Sequence, residues 1–273
     1  MRKSKTPHFK ILAVLITLMA FTAFGLAGVA QAITNGQPDG DAHPYVGLIV
    51  FDDASGPAWR ATGVLISPTV VLTAAHATDG AVAARIWFES DVTDPEYPFS
   101  GGTAIEAKEI ITHPLFSLGS GPGLPGSDTH DIGIVILSKP VKKMPIYGEL
   151  PTIGILDTLA MKTYVDQVGY GYQTMLKGGG PPVWYGAKVR YYAPAQIMTG
   201  NYVQSNEFIM ATANSAKGKG GTCFGDSGGP VLLQGTNIIL ALTSYGANYE
   251  CTSVSYSYRV DTEEVQNWIT SNT

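Results

Sequence analysis

Charged side chains are scarce in this chain, at 14% of 273 residues, and past Lys10 no extended run is rich in Lys or Arg. With a formal net charge of −5, that scarcity argues against nucleic acid as the principal partner. Cysteine is scarcer still: Cys223 and Cys251 are the only two, so the chain closes at most one internal disulfide. No long linker interrupts the sequence. Disorder is excluded by an apolar fraction of 45%, ordinary for a globular chain long enough for one large or two small cores. Glycine (32) and tyrosine (14) are abundant instead, which favours a loop-rich β protein over a helical bundle.

Residues 1–32 read as a secretory signal. Arg2, Lys3, Lys5 and Lys10 form a basic start, 11–30 is an uncharged and mostly apolar run, and Ala30-Gln31-Ala32 offers a small-x-small cleavage site. An uncleaved membrane anchor is the alternative, because the run is long enough to span a bilayer. Cleavage would leave a secreted protein, extracellular or periplasmic, with no membrane attachment. Export also predicts that Cys223 and Cys251 pair, since oxidising compartments favour disulfides; two buried thiols are the alternative.

Short apolar, β-branched runs separated by turn residues fill the rest of the chain. In the first half they occupy 45–51, 63–66 and 70–73, the last two split by the turn Ser67-Pro68-Thr69 and followed by Ala74-Ala75-His76. A histidine there sits at a sheet's rim, between buried support and open chemistry. A further run ends at His113-Pro114, and His130-Asp131 leads directly into 132–137. An aspartate at the head of such a run is partly buried and must find hydrogen-bond donors to remain charged; a histidine N–H is one. The stretch 89–102 holds Glu89, Asp91, Asp94 and Glu96 among Pro and Gly; its spacing matches no calcium-loop motif, so it reads as a solvated acidic loop and no metal site is assigned, with a calcium loop as the alternative.

A Pro-rich, less regular stretch at 139–163 reads as the crossover to a second half. That half repeats the pattern, with runs at 164–168, 183–192, 207–211, 231–233, 238–243 and 256–260. A terminal helix is predicted over about 261–271, capped by Asp261 or Thr262, with Val265, Trp268 and Ile269 on one face.

Cys223-Phe224-Gly225-Asp226-Ser227-Gly228-Gly229-Pro230 is the most informative stretch. A serine among three glycines, before an apolar run, reads as a nucleophile displayed on a tight turn. Glycines let successive N–H groups converge on one point, where an oxyanion would be held. With His76 as base and Asp131 as the acid orienting it, all three roles of a nucleophilic triad are filled. Thr73-Ala74-Ala75-His76, Asp131-Ile132-Gly133-Ile134 and Gly225-Asp226-Ser227-Gly228-Gly229-Pro230 together resemble the trypsin/chymotrypsin family of serine proteases, in that family's His, Asp, Ser order. Ile33-Thr34-Asn35-Gly36, Gly169-Tyr170-Gly171 and Ser244-Tyr245-Gly246 extend the similarity from Ile33 to the terminal helix.

The resemblance implies an all-β fold of two packed six-stranded antiparallel barrels with a C-terminal helix. The first barrel would span about 33–145 and the second about 146–260. It also implies a secreted endopeptidase acting on protein or peptide substrates, without cofactor and as a monomer. Gly225 and Ser227 would supply the oxyanion donors, and Ser244, Tyr245 and Gly246 would bind substrate backbone. Gly221, Thr222 and Phe224 would contribute to a primary pocket braced by a Cys223–Cys251 disulfide. Gly221 would form the pocket's base, where a basic-selective member carries an acid, so apolar residues would be preferred to Arg or Lys. Ser255, Tyr256 or Phe224 would narrow it. Release of the Ile33 amine would let it pair with Asp226. Ala77, standing where vertebrate members carry a cysteine, points to a bacterial-type member. Two alternatives accompany this reading: a narrow-specificity processing hydrolase or esterase, and a non-catalytic binding protein on a protease scaffold.

Overall fold

The computed structural model describes residues 32–93, 103–117, 130–176, 183–186, 188–198, 206–212 and 220–273. Most of the signal segment, and Asp94 and Glu96 of the acidic stretch, lie outside them. After a kinked turn at Ala32–Asn35, a short strand β1 (Gln37–Pro38) precedes the first barrel. That barrel contains β2 (Val46–Asp53), β3 (Gly56–Ser67), β4 (Val70–Thr73), β5 (Ala83–Trp87), β6 (Ile105–Thr112) and β7 (Gly133–Leu137), closed in the order β2-β3-β4-β7-β6-β5. The turn at Ser67-Pro68-Thr69 sets the β3–β4 register, Val64 opposite Leu72 and Ser67 opposite Val70.

The second barrel comprises β8 (Tyr164–Gly169), β11 (Tyr191–Met198), β12 (Phe208–Thr212), β13 (Pro230–Leu233), β14 (Ile239–Gly246) and β15 (Val254–Arg259). It is closed because β8 pairs with both β11 and β13. The two six-stranded antiparallel barrels anticipated from the sequence are therefore present. β1 attaches to β11, so the chain just after Ile33 is tied to the second barrel although the first barrel follows it. Along β11 the burial alternates with period two: Ala193, Ala195 and Ile197 are buried between less buried neighbours.

One strand assignment is corrected. Residues 183–192 do not form a single strand: β10 (Val183–Gly186) folds back on β9 (Tyr172–Leu176) as a separate ribbon, and β11 starts afresh. Gly186, at φ 96°, takes a conformation outside the extended region and shifts the register there. β1, β5 and β9 are further differences, strands the sequence pattern did not suggest.

Both barrels contribute to one continuous core, in which Leu48, Ile49, Leu72 and Ile134 join Val168, Leu232, Ile239 and Leu242. Burying each such side chain stabilises the fold by roughly 1.5–3 kcal/mol, so the barrels are held face to face largely by apolar area. Three helical segments complete the described structure: α1 (Ala75–Thr78), α2 (Ile155–Thr158) and α3 (Glu263–Ser271). The Thr262 side chain caps α3 by accepting from the Val265 amide, while Val265 and Ile269 are buried beneath it. No helix among the described residues is long and apolar enough to cross a membrane.

Candidate active site

Pairing of β4 with β7 places Thr73 opposite Gly133. The residues just after β4 and just before β7 therefore share one rim, which is why His76 and Asp131, 55 positions apart, are neighbours. His76 lies on the single turn α1 rather than at a strand's end. Asp131 is fully buried and accepts from three donors: the His76 amide (2.9 Å), His76 Nδ1 (2.8 Å) and the Ser244 hydroxyl. Burial alone would push its carboxyl up. The charge and hydrogen bonds of His76 and the Ser244 hydroxyl outweigh that, so it lies below the usual carboxylate range.

Across the cleft, the nucleophile turn follows Cys223 and precedes β13. Gly225 (φ 96°) and Gly228 (φ 76°) both adopt left-handed backbone. A Cβ on Gly228 would collide with the Thr73 hydroxyl and the Ala74 amide, so only glycine lets this turn seat against the chain leading to His76. Thr62 of β3 fastens the same junction. Its amide donates to the Ser227 carbonyl and its hydroxyl to the Gly225 carbonyl, each at 2.9 Å, while that hydroxyl accepts from the Tyr170 amide at 3.1 Å. The amides of Asp226, Gly228 and Gly229 are spent on the carbonyls of Cys223, Thr243 and Asp226. Among the described residues, the amides of Gly225 and Ser227 have no internal acceptor, and both residues are only half-buried. Two N–H groups are thus left for something outside the fold.

Between these amides lies Asp226, also fully buried. Its Oδ1 accepts from the Gly171 amide (2.7 Å) and its Oδ2 from the Cys223 amide (2.8 Å). Burial pushes this carboxyl up to about 7, against the two amide hydrogen bonds and the nearby Arg60 charge. Ile33 is buried as an internal residue. Its neighbour Thr34 donates its hydroxyl to the carbonyls of Gly221 (3.2 Å) and Cys251 (3.0 Å).

A hollow of about 340 Å³ opens beside Ser227, with Thr222, Phe224, Ser244, Tyr245 and Gly246 on its wall. Among the described residues, no side chain on that wall is charged. Asn248 and Tyr249 also line it, and sequence reasoning missed them. Gly221, Ser255 and Tyr256 are not on the wall. Gly221 is buried, its amide donating to the Thr34 carbonyl at 3.1 Å; Ser255 Oγ accepts from Gln167 Nε2 at 2.8 Å; and Tyr256 stacks behind Tyr245 with centroids 4.8 Å apart. Cys223 and Cys251 form a disulfide, Cα atoms 5.3 Å apart, that closes the 247–252 loop onto the turn. Ser244 was expected only to contact substrate, yet its hydroxyl is a donor to Asp131. Among the described residues no group of three or more His, Cys, Asp or Glu is placed to hold a metal.

Comparisons with known proteins place this arrangement. The family model described as Trypsin matches residues 34–269. Serine protease 1 of Drosophila melanogaster is 27% identical over 252 residues, covering 88% of this chain and 85% of its own. A trypsin of Saccharopolyspora erythraea is 26% identical over 213 residues, covering 75% and 82%. Among solved structures, HL collagenase superposes with a TM-score of 0.65 at 18% identity, over 87% of this chain and 96% of its own. GrC does so with the same TM-score at 19% identity, over 87% and 97%. At such identities the two structures speak for the fold alone.

Proposed function

The chain belongs to the trypsin family of serine endopeptidases, and from that membership we propose that it is secreted and hydrolyses peptide bonds through an acyl-enzyme formed on Ser227. The observation that carries this reading is the pairing of a polarised His76–Asp131 couple with the unspent amides of Gly225 and Ser227. In the acylation step the Ser227 hydroxyl attacks the scissile carbonyl carbon and His76 takes its proton. The carbonyl oxygen becomes an oxyanion that accepts from the amides of Gly225 and Ser227. The C–N bond then breaks as His76 returns the proton to the leaving amine. Water repeats the sequence on the acyl-enzyme. Asp131 stays ionised throughout, holding the imidazole in one tautomer and stabilising its positive form.

The uncharged hollow beside Ser227 supports a preference for apolar residues before the scissile bond. Asp226 supports an activation step: a buried carboxyl bonded only to amides gains a cation when cleavage after Ala32 frees the Ile33 amine. That pairing would fix the turn carrying the oxyanion donors.

The test is a peptide library digested by the secreted enzyme, with a Ser227→Ala control and the enzyme's own terminus read by mass spectrometry. Expected are an Ile33 terminus, cleavage after apolar residues, and loss of more than about 10³-fold activity in the control. Cleavage mainly after Arg or Lys overturns the pocket reading. An active enzyme beginning elsewhere overturns the activation reading.

A further inference from the structure

The described residues include four arginines, and three of them are spent on carboxylates. Arg85 pairs with Asp52, Arg190 with Asp39, and Arg259 with Asp157 and Asp261. Arg60 of β3 differs. Among the described residues it has neither an ion pair nor a hydrogen bond; its guanidinium lies over the Tyr172 ring, 4.7 Å from the centroid. Stacking occupies the face of a guanidinium and leaves the N–H donors at its edge free, in the fork geometry that matches a carboxylate. The stretch 173–187, which continues from Tyr172 through the β9–β10 ribbon, contains no Asp or Glu to satisfy them.

Arg60 lines a second hollow, of about 420 Å³, together with Trp59, Tyr172, Phe224 and Gly225. Both hollows share Phe224; one takes in Ser227 and the other Gly225. They therefore flank the nucleophile turn, and Arg60 Nε is only 3.8 Å from where a Cβ on Gly225 would stand. If the residue before the scissile bond fills the uncharged hollow, the chain beyond Ser227 leads away from it, toward Arg60. This step rests on the endopeptidase reading above.

We propose that Arg60 is a specificity-determining residue that selects peptides carrying a carboxylate on the leaving-group side of the scissile bond. The carboxylate has two possible sources with the same chemistry, an acidic side chain or the peptide's own C-terminus. The guanidinium is pre-oriented by Tyr172, so little side-chain freedom is lost on binding. The carboxyl group meets a cation not already neutralised by the fold. Asp226, the buried acid on which the Arg60 charge acts, is enclosed by the Gly171 and Cys223 amides and makes no hydrogen bond to Arg60.

The experiment uses the processed enzyme and fluorogenic peptides sharing one acyl half, with an apolar residue before the scissile bond. Their leaving halves differ: Glu, Gln or Lys at the first or second residue with an amidated end, or Ala with either a free or an amidated end. Glu over Gln, or free over amidated Ala, is expected to gain about fivefold in kcat/KM, the scale of one partly exposed charge pair, and to lose that gain at high salt. Whichever pair shows the gain identifies the source. In Arg60→Gln the ratio is expected to fall to about one while cleavage of the Gln peptide and the melting temperature hold. Arg60→Glu is expected to favour Lys, and Arg60→Lys to keep part of the preference. A ratio unchanged in Arg60→Gln, or absent in the wild type while the Gln peptide is cleaved well, overturns the proposal. If the wild type cleaves none of the peptides, the endopeptidase reading itself fails and this inference falls with it.

Discussion

Two carboxylates, Asp131 on the first barrel and Asp226 on the second, face the same cleft and are both fully buried, yet burial has opposite outcomes for them. Asp131 meets an imidazole and a hydroxyl, and its carboxyl is held below the ordinary range. Asp226 meets two backbone amides, and its carboxyl rises to about 7. A third buried acid, Asp39, sides with Asp131. Burial raises it, but His43 and the enclosed Arg190 guanidinium, 2.7 Å away, bring it below the ordinary value. All three are buried; what differs is that Asp131 and Asp39 hydrogen-bond directly to a histidine ring or a guanidinium, whereas Asp226 hydrogen-bonds only to amides and feels Arg60 through its charge alone. The first barrel thus holds its acid already charged for catalysis. The second keeps an acid hydrogen-bonded to amides alone, the one that the proposed activation step would pair with the Ile33 amine.

The largest expected effect comes from making the first acid neutral. Asp131→Asn removes the charge that stabilises the imidazolium and offers His76 Nδ1 a donor in place of an acceptor. The processed enzyme should lose roughly 10⁴-fold in kcat with KM little changed. A loss below tenfold would mean that His76 is not oriented through Asp131.

The same substitution on the other side should act in two directions. If Asp226 receives the Ile33 amine as proposed, Asp226→Asn in the processed enzyme is expected to lower kcat by roughly 10²–10³-fold as the proposed oxyanion donors lose their support. In the uncleaved chain it should instead stabilise at neutral and alkaline pH. The folded carboxyl, at about 7, lies above its unfolded value near 3.9. Its stabilising contribution is therefore complete below about 3.9 and lost as pH rises through about 7. Melting temperatures of uncleaved Ser227→Ala protein, with and without Asp226→Asn, should diverge across that window. Parallel profiles would show that the second acid behaves like the first. Asp131 has the opposite slope: its carboxyl is depressed, so its contribution is present above the unfolded value and lost as pH falls through the folded one.

The smallest effect tests how the first acid is held. Ser244→Ala removes one of three donors to Asp131, and kcat is expected to fall about tenfold, the scale of one hydrogen bond to a charged group. The acid end of the stability profile should move to higher pH, because Asp131 is then more easily protonated. A change in KM alone would mean that Ser244 serves only the substrate.

The candidate triad residues stood out in the sequence because His76 and Asp131 lie beside β-branched runs, and the turn around Ser227 announces itself through its glycines. Most strands were legible as short apolar runs bounded by turn residues, whereas their closure into two barrels was implied only by the family resemblance. Thr62 was not legible: one threonine in a strand carries no local sign that its amide and hydroxyl will hold two carbonyls of a turn more than 160 residues away. The pocket wall was legible only in part. Asn248 and Tyr249 reach it because the Cys223–Cys251 disulfide folds their loop inward, while Gly221 is turned toward Thr34. The break at Gly186 was hidden as well, since a glycine between apolar neighbours reads equally as strand or bend until a partner strand is chosen.

By itself the sequence determined which groups are available for chemistry and where the backbone turns. Those depend on short-range sterics, on the presence or absence of a Cβ, and on the two-residue period of a strand. The tertiary structure alone decided which acid is held below the ordinary carboxylate range and which is raised and, among the described residues, which amides remain unspent and which arginine makes no ion pair. Each of these is set by electrostatics and hydrogen bonding with groups far away in the chain, brought into contact only when the two barrels close on one another.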